Sequence, residues 1–309
     1  VKIVCSFGAG PGEARPWIDD LAQALPGAVV VGDEGDEGLD ADYAVVWRTS
    51  QEFFDRHRRL KAIFAAGAGV DALLSLALPS GVPVVRLEDA GMGEQMADYV
   101  AHALLRYFRR FDTYAALQAG RTWQPLPTER KADWPVGVLG LGALGQTVAQ
   151  AVRALGFPVA GWTRSPREVA GIETFSGPAG FAPFLARTRV LVDVLPLTAD
   201  TRDLIDAEVF AGLRSPAYFI NVARGAHVVE SDLLEALASG HLAGAALDVC
   251  RDEPARPHHP FWRHPRIALT PHIAAMTLRR ESVAQIAFKI GALERSEPID
   301  GVISHERGY

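Results

Sequence analysis

The sequence predicts an α/β protein built as two doubly wound parallel-sheet domains, and three observations carry that prediction. The chain of 309 residues is longer than one typical domain. Short apolar runs alternate with helix-like segments along nearly all of it, the rhythm of parallel strands joined by crossovers. That alternation occurs twice, once on each side of the proline-rich link WQPLPTERKADWP, residues 123–135.

In chain order, the first series of strands is VKIVCSF, AVVVG, YAVVW, AIFAAG and VPVVRL. A long helical pattern follows from about Glu94 to Leu117, with Val100, Ala103, Leu104, Tyr107, Phe108 and Phe111 recurring at helical spacing. Arg106, Arg109 and Arg110 lie between them as a solvated or inter-domain face. Beyond the link, VGVLG, VAGWT, VLVDVLP, YFINVA, AALDV and IALT form a second, stronger strand series. After Pro271 the chain is expected to be helical to about Leu293, where it would return to pack on the first unit before the polar tail SHERGY.

Composition excludes several classes of function. With 49% hydrophobic and 22% charged residues, the chain is too apolar for a disordered protein. A net charge of -6 offers no broad basic field for nucleic acid or an anionic membrane, so an anionic ligand must be held by local charge. Cys5 and Cys250 are the only cysteines, both read as small hydrophobes in strand-like runs, which fits a reducing compartment. VKIVCSFGAG lacks the apolar core of a signal peptide and no stretch is long enough to span a bilayer, so a cytoplasmic location is expected. His258 and His259 are adjacent and cannot share a helical face as metal ligands; with no cysteine pairs and no HExxH, no metal site is expected. The GxSxG elbow and the P-loop are absent too.

GLGALG places Gly140, Gly142 and Gly145 in GxGxxG spacing, directly after the strand VGVLG and before the helical stretch ALGQTVAQAVRALG. In that context Gly140 permits the tight turn, Gly142 lets the backbone approach a pyrophosphate, and Gly145 lets the helix pack on the sheet. Ala143 and Leu144 belong to the same loop, whose amides at the helix N-terminus face the anion. An NAD site places an Asp or Glu after the second strand to bind the ribose, yet no acidic residue occurs from Gln146 to Arg167. Arg164, Ser165 and the nearby Arg167 stand there instead, a charged fork and a hydroxyl suited to a 2'-phosphate. NADP is therefore the expected cofactor, NAD the lesser alternative; solvated loop charges are the plainer explanation of the arginines.

Three further strands end at INVARG, LDVCRDEP and ALTPHIAA, and each is followed by one candidate catalytic residue: Arg224, Glu253 and His272. Ligands of open parallel sheets bind beyond the carboxyl ends of the strands, so the three can share a crevice. Singly, each has a structural explanation. Together, downstream of a dinucleotide loop, they fit the reduction of a 2-oxo acid. His272 would give the proton, with its pKa raised and its tautomer set by Glu253, while Arg224 would grip the carboxylate and polarise the ketone. In AAGAGVDALL, Gly69 and Val70, with Gly67 before them, form a turn whose amides suit the same carboxylate, or a plain strand-to-helix turn. Trp47 closes YAVVW either as a wall of that crevice or as an ordinary buried aromatic.

On these residues the chain resembles the D-isomer-specific 2-hydroxyacid dehydrogenase family. FRRFDTY, LARTRVL, NVARGAHV, FWRHPRIALTPHIAA and the terminal RGY are similar to its glyoxylate/hydroxypyruvate reductase A branch. The resemblance implies a flavodoxin-like substrate domain from residues 1–98 and 275–309, an inserted Rossmann NAD(P)-binding domain from residues 99–274, a cleft between them, and a homodimer. It makes Arg224 the substrate-orienting arginine, His272 the proton donor and acceptor, and Glu253 its partner. Trp47, Gly69 and Val70 would bind substrate. Met96, Leu195, Pro196, Thr198, Ala223, Asp248 and Ala274 would lie with His272 beside the cofactor, although DAGMGEQMADYV departs from the commoner family wording around Met96. The expected activity is NADPH-dependent reduction of small anionic 2-oxo acids, glyoxylate to glycolate and hydroxypyruvate to D-glycerate. The alternatives are a reductase of a bulkier 2-oxo acid and a non-catalytic dinucleotide-sensing protein.

Overall fold

A computed structural model describes residues 1–8, 11–33 and 40–304; the terminal RGY and most of the polar tail lie outside them. Val1–Met92 with Thr277–Tyr309 forms one compact unit, and Gly93–Met276 forms a second.

The first unit contains β1 (Lys2–Phe7), α1 (Pro11–Ala24), β2 (Val29–Gly32), β3 (Tyr43–Trp47), α2 (Gln51–Arg56), β4 (Ala62–Ala65), α3 (Asp71–Leu74) and β5 (Val84–Val85). Its five strands pair in parallel in the order β2-β1-β3-β4-β5, the flavodoxin-like order. The central strands are buried along most of their length, which is why they read as continuous apolar runs. Val4, Val46, Phe53, Phe54, Ile63 and Val84 meet in one core cluster. Each such fully buried side chain contributes roughly 1.5–3 kcal/mol.

The second unit takes nearly all of α4 (Met92–Phe108), then α5 (Phe111–Ala119), β6 (Val136–Leu139), α6 (Ala143–Ala154), β7 (Val159–Thr163), β8 (Glu173–Ser176), α7 (Gly177–Arg187), β9 (Val190–Asp193), α8 (Ala207–Ala211), β10 (Ala217–Asn221), α9 (Glu230–Ala238), β11 (Leu242–Leu247) and β12 (Ile267–Leu269). The seven strands are parallel in the order β12-β11-β10-β9-β6-β7-β8. Read from β8, this is the Rossmann order with one strand added at the end, and it reverses between β6 and β9. The chain then completes the first unit with α10 (Arg279–Glu294), which lies against α1 with Arg279 Nε 2.7 Å from Asp20 Oδ2.

Four local expectations are corrected. The single helix from Glu94 to Leu117 is two helices, because Arg110 is left-handed at φ 56° and turns the chain before Phe111. No residue of α5 is buried, and Phe111 is 52% exposed rather than part of the apolar stripe. β8 was missed because ETFS is a short edge strand with no fully buried residue. The last helix begins at Arg279, not after Pro271, because the segment between them is tied down by a buried carboxylate described below. Cys250 follows β11 in a loop, although it is buried like Cys5.

Candidate active site

At the switch point between β6 and β9, Gly140 turns the chain at φ 90°, and a Cβ there would stand 2.9 Å from the Val194 carbonyl oxygen. A Cβ on Gly145 would stand 1.9 Å from the Gly140 carbonyl oxygen, so only glycine lets α6 start this close to the turn. Gly142, at the N-cap of α6, differs: a Cβ there would meet nothing within 4 Å. The turn thus presents exposed backbone, together with the first residues Ala143 and Leu144 of α6, toward open space. A dinucleotide pyrophosphate fits this arrangement of helix N-terminus and bare backbone.

Arg164 follows β7 directly and is 44% exposed, with Nη1 4.0 Å from the Asp200 carboxylate. Ser165 is exposed beside it, its carbonyl oxygen accepting from the Thr163 hydroxyl. Arg167, by contrast, donates to the Leu141 carbonyl at 2.8 Å and so braces the glycine turn.

The three catalytic candidates come from successive loops of this one sheet. Arg224 follows β10, where Asn221 holds its turn through two bonds: the Asn221 amide donates to the Arg224 carbonyl, and the Ala223 N–H donates to Asn221 Oδ1, both at 3.0 Å. Arg224 itself donates to the Ala223 carbonyl at 2.8 Å. A Cβ on the next residue, Gly225, would stand 1.9 Å from the Cys250 carbonyl carbon, so the Arg224 turn presses against the loop that carries Glu253. His272 Nδ1 lies 2.7 Å from Glu253 Oε2. A carboxylate only accepts, so Nδ1 carries the hydrogen and Nε2 is left to exchange one. Burial pushes the Glu253 carboxyl up, but the bond and charge of His272, the Cys250 N–H and the nearby Arg224 outweigh it and hold the group below its ordinary range. Arg224, Glu253 and His272 are thus brought together.

His272 is left-handed at φ 57°, and its N–H donates to the Asp248 carbonyl at 2.7 Å. The Asp248 carboxylate accepts from the Thr270 hydroxyl at 2.6 Å, the Ile273 N–H at 2.8 Å and the Ala274 N–H at 2.7 Å. Asp248 is 1% exposed, so its carboxylate is committed to fixing the His272 segment. Leu195 and Ala223 are buried, Pro196 and Thr198 half-buried, and the Thr198 N–H donates to the Thr201 hydroxyl at 2.8 Å. Met96 and Ala274 are buried in the core of the same unit.

In the first unit, Trp47 ends β3 beside the β1/β3 switch point. Its ring covers Gly67, where a Cβ would come within 2.4 Å of it. Gly69 is half-buried, and Val70 caps α3 with its side chain in the core.

Sequence reading missed Asp193, Asn221 and His227, which are 0%, 1% and 0% exposed. A signal existed for two of them: Asp193 and Asn221 are polar residues ending otherwise apolar strands. Among the described residues, no group of three or more His, Cys, Asp or Glu is placed to hold a metal ion, and no helix is long and apolar enough to cross a membrane.

The sheet order, the glycine turn and the Arg, Glu and His loops together describe an NAD(P)-dependent oxidoreductase, and the comparisons give the family. The chain belongs to the D-isomer specific 2-hydroxyacid dehydrogenase family, whose NAD binding domain matches residues 101–274. It is 46% identical over 302 residues to glyoxylate/hydroxypyruvate reductase A of Serratia proteamaculans, covering 96% of each chain. Its structure is similar to that of an NADPH-dependent glyoxylate/hydroxypyruvate reductase from Sinorhizobium meliloti in complex with NADP and sulfate, at a TM-score of 0.92, 38% identity and coverage of 100% and 99%. It is also similar to a D-isomer specific 2-hydroxyacid dehydrogenase from Xanthobacter autotrophicus in complex with NADPH and MES, at a TM-score of 0.93, 37% identity and the same coverage.

Proposed function

We propose that this chain reduces small 2-oxo acids with NADPH in preference to NADH, converting glyoxylate to glycolate and hydroxypyruvate to D-glycerate. The observation that carries the proposal is the 2.7 Å contact between His272 and Glu253 beside Arg224, at the carboxyl ends of adjacent parallel strands.

Gly140, Gly142, Ala143, Leu144 and Gly145 would hold the pyrophosphate, Arg164 and Ser165 the 2'-phosphate, and Met96, Leu195, Pro196, Thr198, Ala223 and Ala274 the nicotinamide side. The reduced nicotinamide, when bound, supplies the hydride that the carbonyl carbon accepts. His272 Nε2 gives its proton to the carbonyl oxygen, and the Glu253 carboxylate steadies the ring while it is charged. The Arg224 guanidinium meets the substrate carboxylate and favours the oxygen on which negative charge develops. Trp47, Gly69 and Val70 are assigned to the substrate.

The absence of an acid after β7 and the presence of Arg164 there support NADPH, as do the two structurally similar dehydrogenases described with NADP and NADPH. A homodimer through α5 and the following arm is supported by exposed aromatics: Phe111 is 52%, Tyr114 37% and Trp123 100% exposed. A cytoplasmic location is supported by Cys5 and Cys250, both free and buried.

The test is a panel of 2-oxo acids with NADPH and with NADH, followed by loss of nicotinamide absorbance, on the wild type and on Arg164→Asp. Turnover of glyoxylate or hydroxypyruvate is expected with NADPH ahead, and Arg164→Asp should weaken NADPH at least tenfold more than NADH. NADPH binding with no turnover of any 2-oxo acid would leave a cofactor sensor in place of a reductase.

A further inference from the structure

Beneath the residues assigned to cofactor and substrate lies an ionic pair that the reaction does not use. Asp193 is the last residue of β9, and His227 stands three residues beyond Arg224. Both side chains are 0% exposed, with His227 Nδ1 2.6 Å from Asp193 Oδ2. The second carboxylate oxygen, Oδ1, accepts the Leu195 N–H at 3.0 Å, at the start of the turn that runs through Pro196 to Thr198. One carboxylate thus joins the cofactor-side turn after β9 to the substrate-side turn after β10.

Other bonds make this link stiff. The Ile205 N–H donates to the His227 carbonyl at 2.8 Å, and the Asp203 N–H donates to the Ala226 carbonyl at 2.9 Å. The His227 N–H donates to the Arg224 carbonyl at 3.3 Å, so a shift of the ring carries the Arg224 turn with it. His227 Nε2 is buried facing the Pro196 carbonyl without a hydrogen bond of regular geometry, so Nδ1 makes the ring's regular bond. A pair needed for stability alone could sit anywhere in the core and be replaced by apolar side chains at little cost. This one sits where two loops of the site must keep register.

We infer that Asp193 and His227 are positioning residues that lock the Leu195–Thr198 turn and the Arg224 turn together, so that the grip of Arg224 on the substrate depends on a buried pair touching no reacting atom. This deepens the proposed reductase function and rests on it for the substrate arm of the test; the cofactor arm stands without it.

Three variants, each verified as folded by circular dichroism, test the inference. Asp193→Leu removes both links, and the dissociation constant for NADPH, read by fluorescence with no oxo acid present, is expected to rise about tenfold, the scale of a lost bond to a charged group. The double variant Asp193→Asn with His227→Leu buries no charge and keeps an acceptor for Leu195. Its NADPH constant should stay within about threefold of wild type while KM for the oxo acid rises about tenfold, on the same energetic scale. His227→Asn places an amide donor where Nδ1 stands and should restore KM to within about threefold. Wild-type KM and kcat in the folded double variant would overturn the inference, as would an unchanged NADPH constant in folded Asp193→Leu. If the wild-type protein binds NADPH but reduces no oxo acid, the functional proposal fails while the Asp193→Leu binding arm still decides the link.

Discussion

At the scale of single residues, the candidate chemistry rests on a histidine whose tautomer a carboxylate fixes. His272→Ala is expected to lower kcat on the order of a hundredfold or more, the usual contribution of general acid catalysis, with NADPH binding little changed. Wild-type turnover in that variant would remove His272 from the reaction. Glu253 is held below its ordinary range, so its carboxylate stays ionised as pH falls through about 4.3, and its share of the folded state's stability is present above the unfolded value and lost below the folded one. The placing of Arg224, Glu253 and His272 in the loops after three adjacent strands was legible in the sequence, because each loop follows an apolar run. Asp193 and Asn221 left only the signal of a polar residue ending an apolar strand, and His227 left none, because a buried polar residue declares its role through its partner. Those partners are 34 residues apart for Asp193 and His227, a separation that no local pattern reports.

At the scale of elements, the glycine after Arg224 decides how near the Arg224 and Glu253 loops come. Gly225→Ala would drive a Cβ into the backbone at Cys250, where no flexible side chain can yield. The loops must part, and a cost of about 1–3 kcal/mol or more in stability is expected together with a larger loss of kcat than of thermal stability. Chemical denaturation and kinetics on the same sample would measure both, and unchanged kcat would show that the close approach is not needed. The strand series was legible because buried parallel strands are nearly all apolar, as in VGVL and VLVD. The break between α4 and α5 was not, since the helical spacing runs through Arg110 unaltered and only its left-handed backbone interrupts it. The late start of α10 escaped for a related reason: the residues after Pro271 have ordinary helical character, but Asp248 takes the amides of Ile273 and Ala274.

At the scale of the whole molecule, two predictions concern the solution state. Light scattering on the eluted protein should give about twice the 33.3 kDa chain mass, and the double variant Phe111→Asp with Trp123→Asp should give the monomer. A wild-type monomer would exclude the dimer. The second follows from His227: burial opposes its charge, yet the Asp193 carboxylate, helped by the Pro196 carbonyl, outweighs burial and the repulsion of Arg224, so its pKa is raised. A raised histidine stabilises the fold fully below its unfolded value of about 6.5 and loses that contribution as pH rises through the folded value. The stability gap between wild type and His227→Asn, on the order of 1–3 kcal/mol, should therefore shrink as pH is raised from about 6 toward 9. A gap that widens over that range would mean the ring is neutral in the folded protein. The division into two sheets was legible from the doubled strand series, because each sheet needs its own run of buried strands whatever joins them.

The three donors gathered by Asp248 bear on how such a protein can change. The imidazole rides on main chain fastened at its base, while Ile273 and Met276, one and four residues further along the chain, stand 49% and 54% exposed. The bonds that fasten this segment to Asp248 are made by the main chain and the Thr270 hydroxyl, not by those two side chains. Variation there would alter the surface next to His272 while the main chain that carries the ring stays fixed.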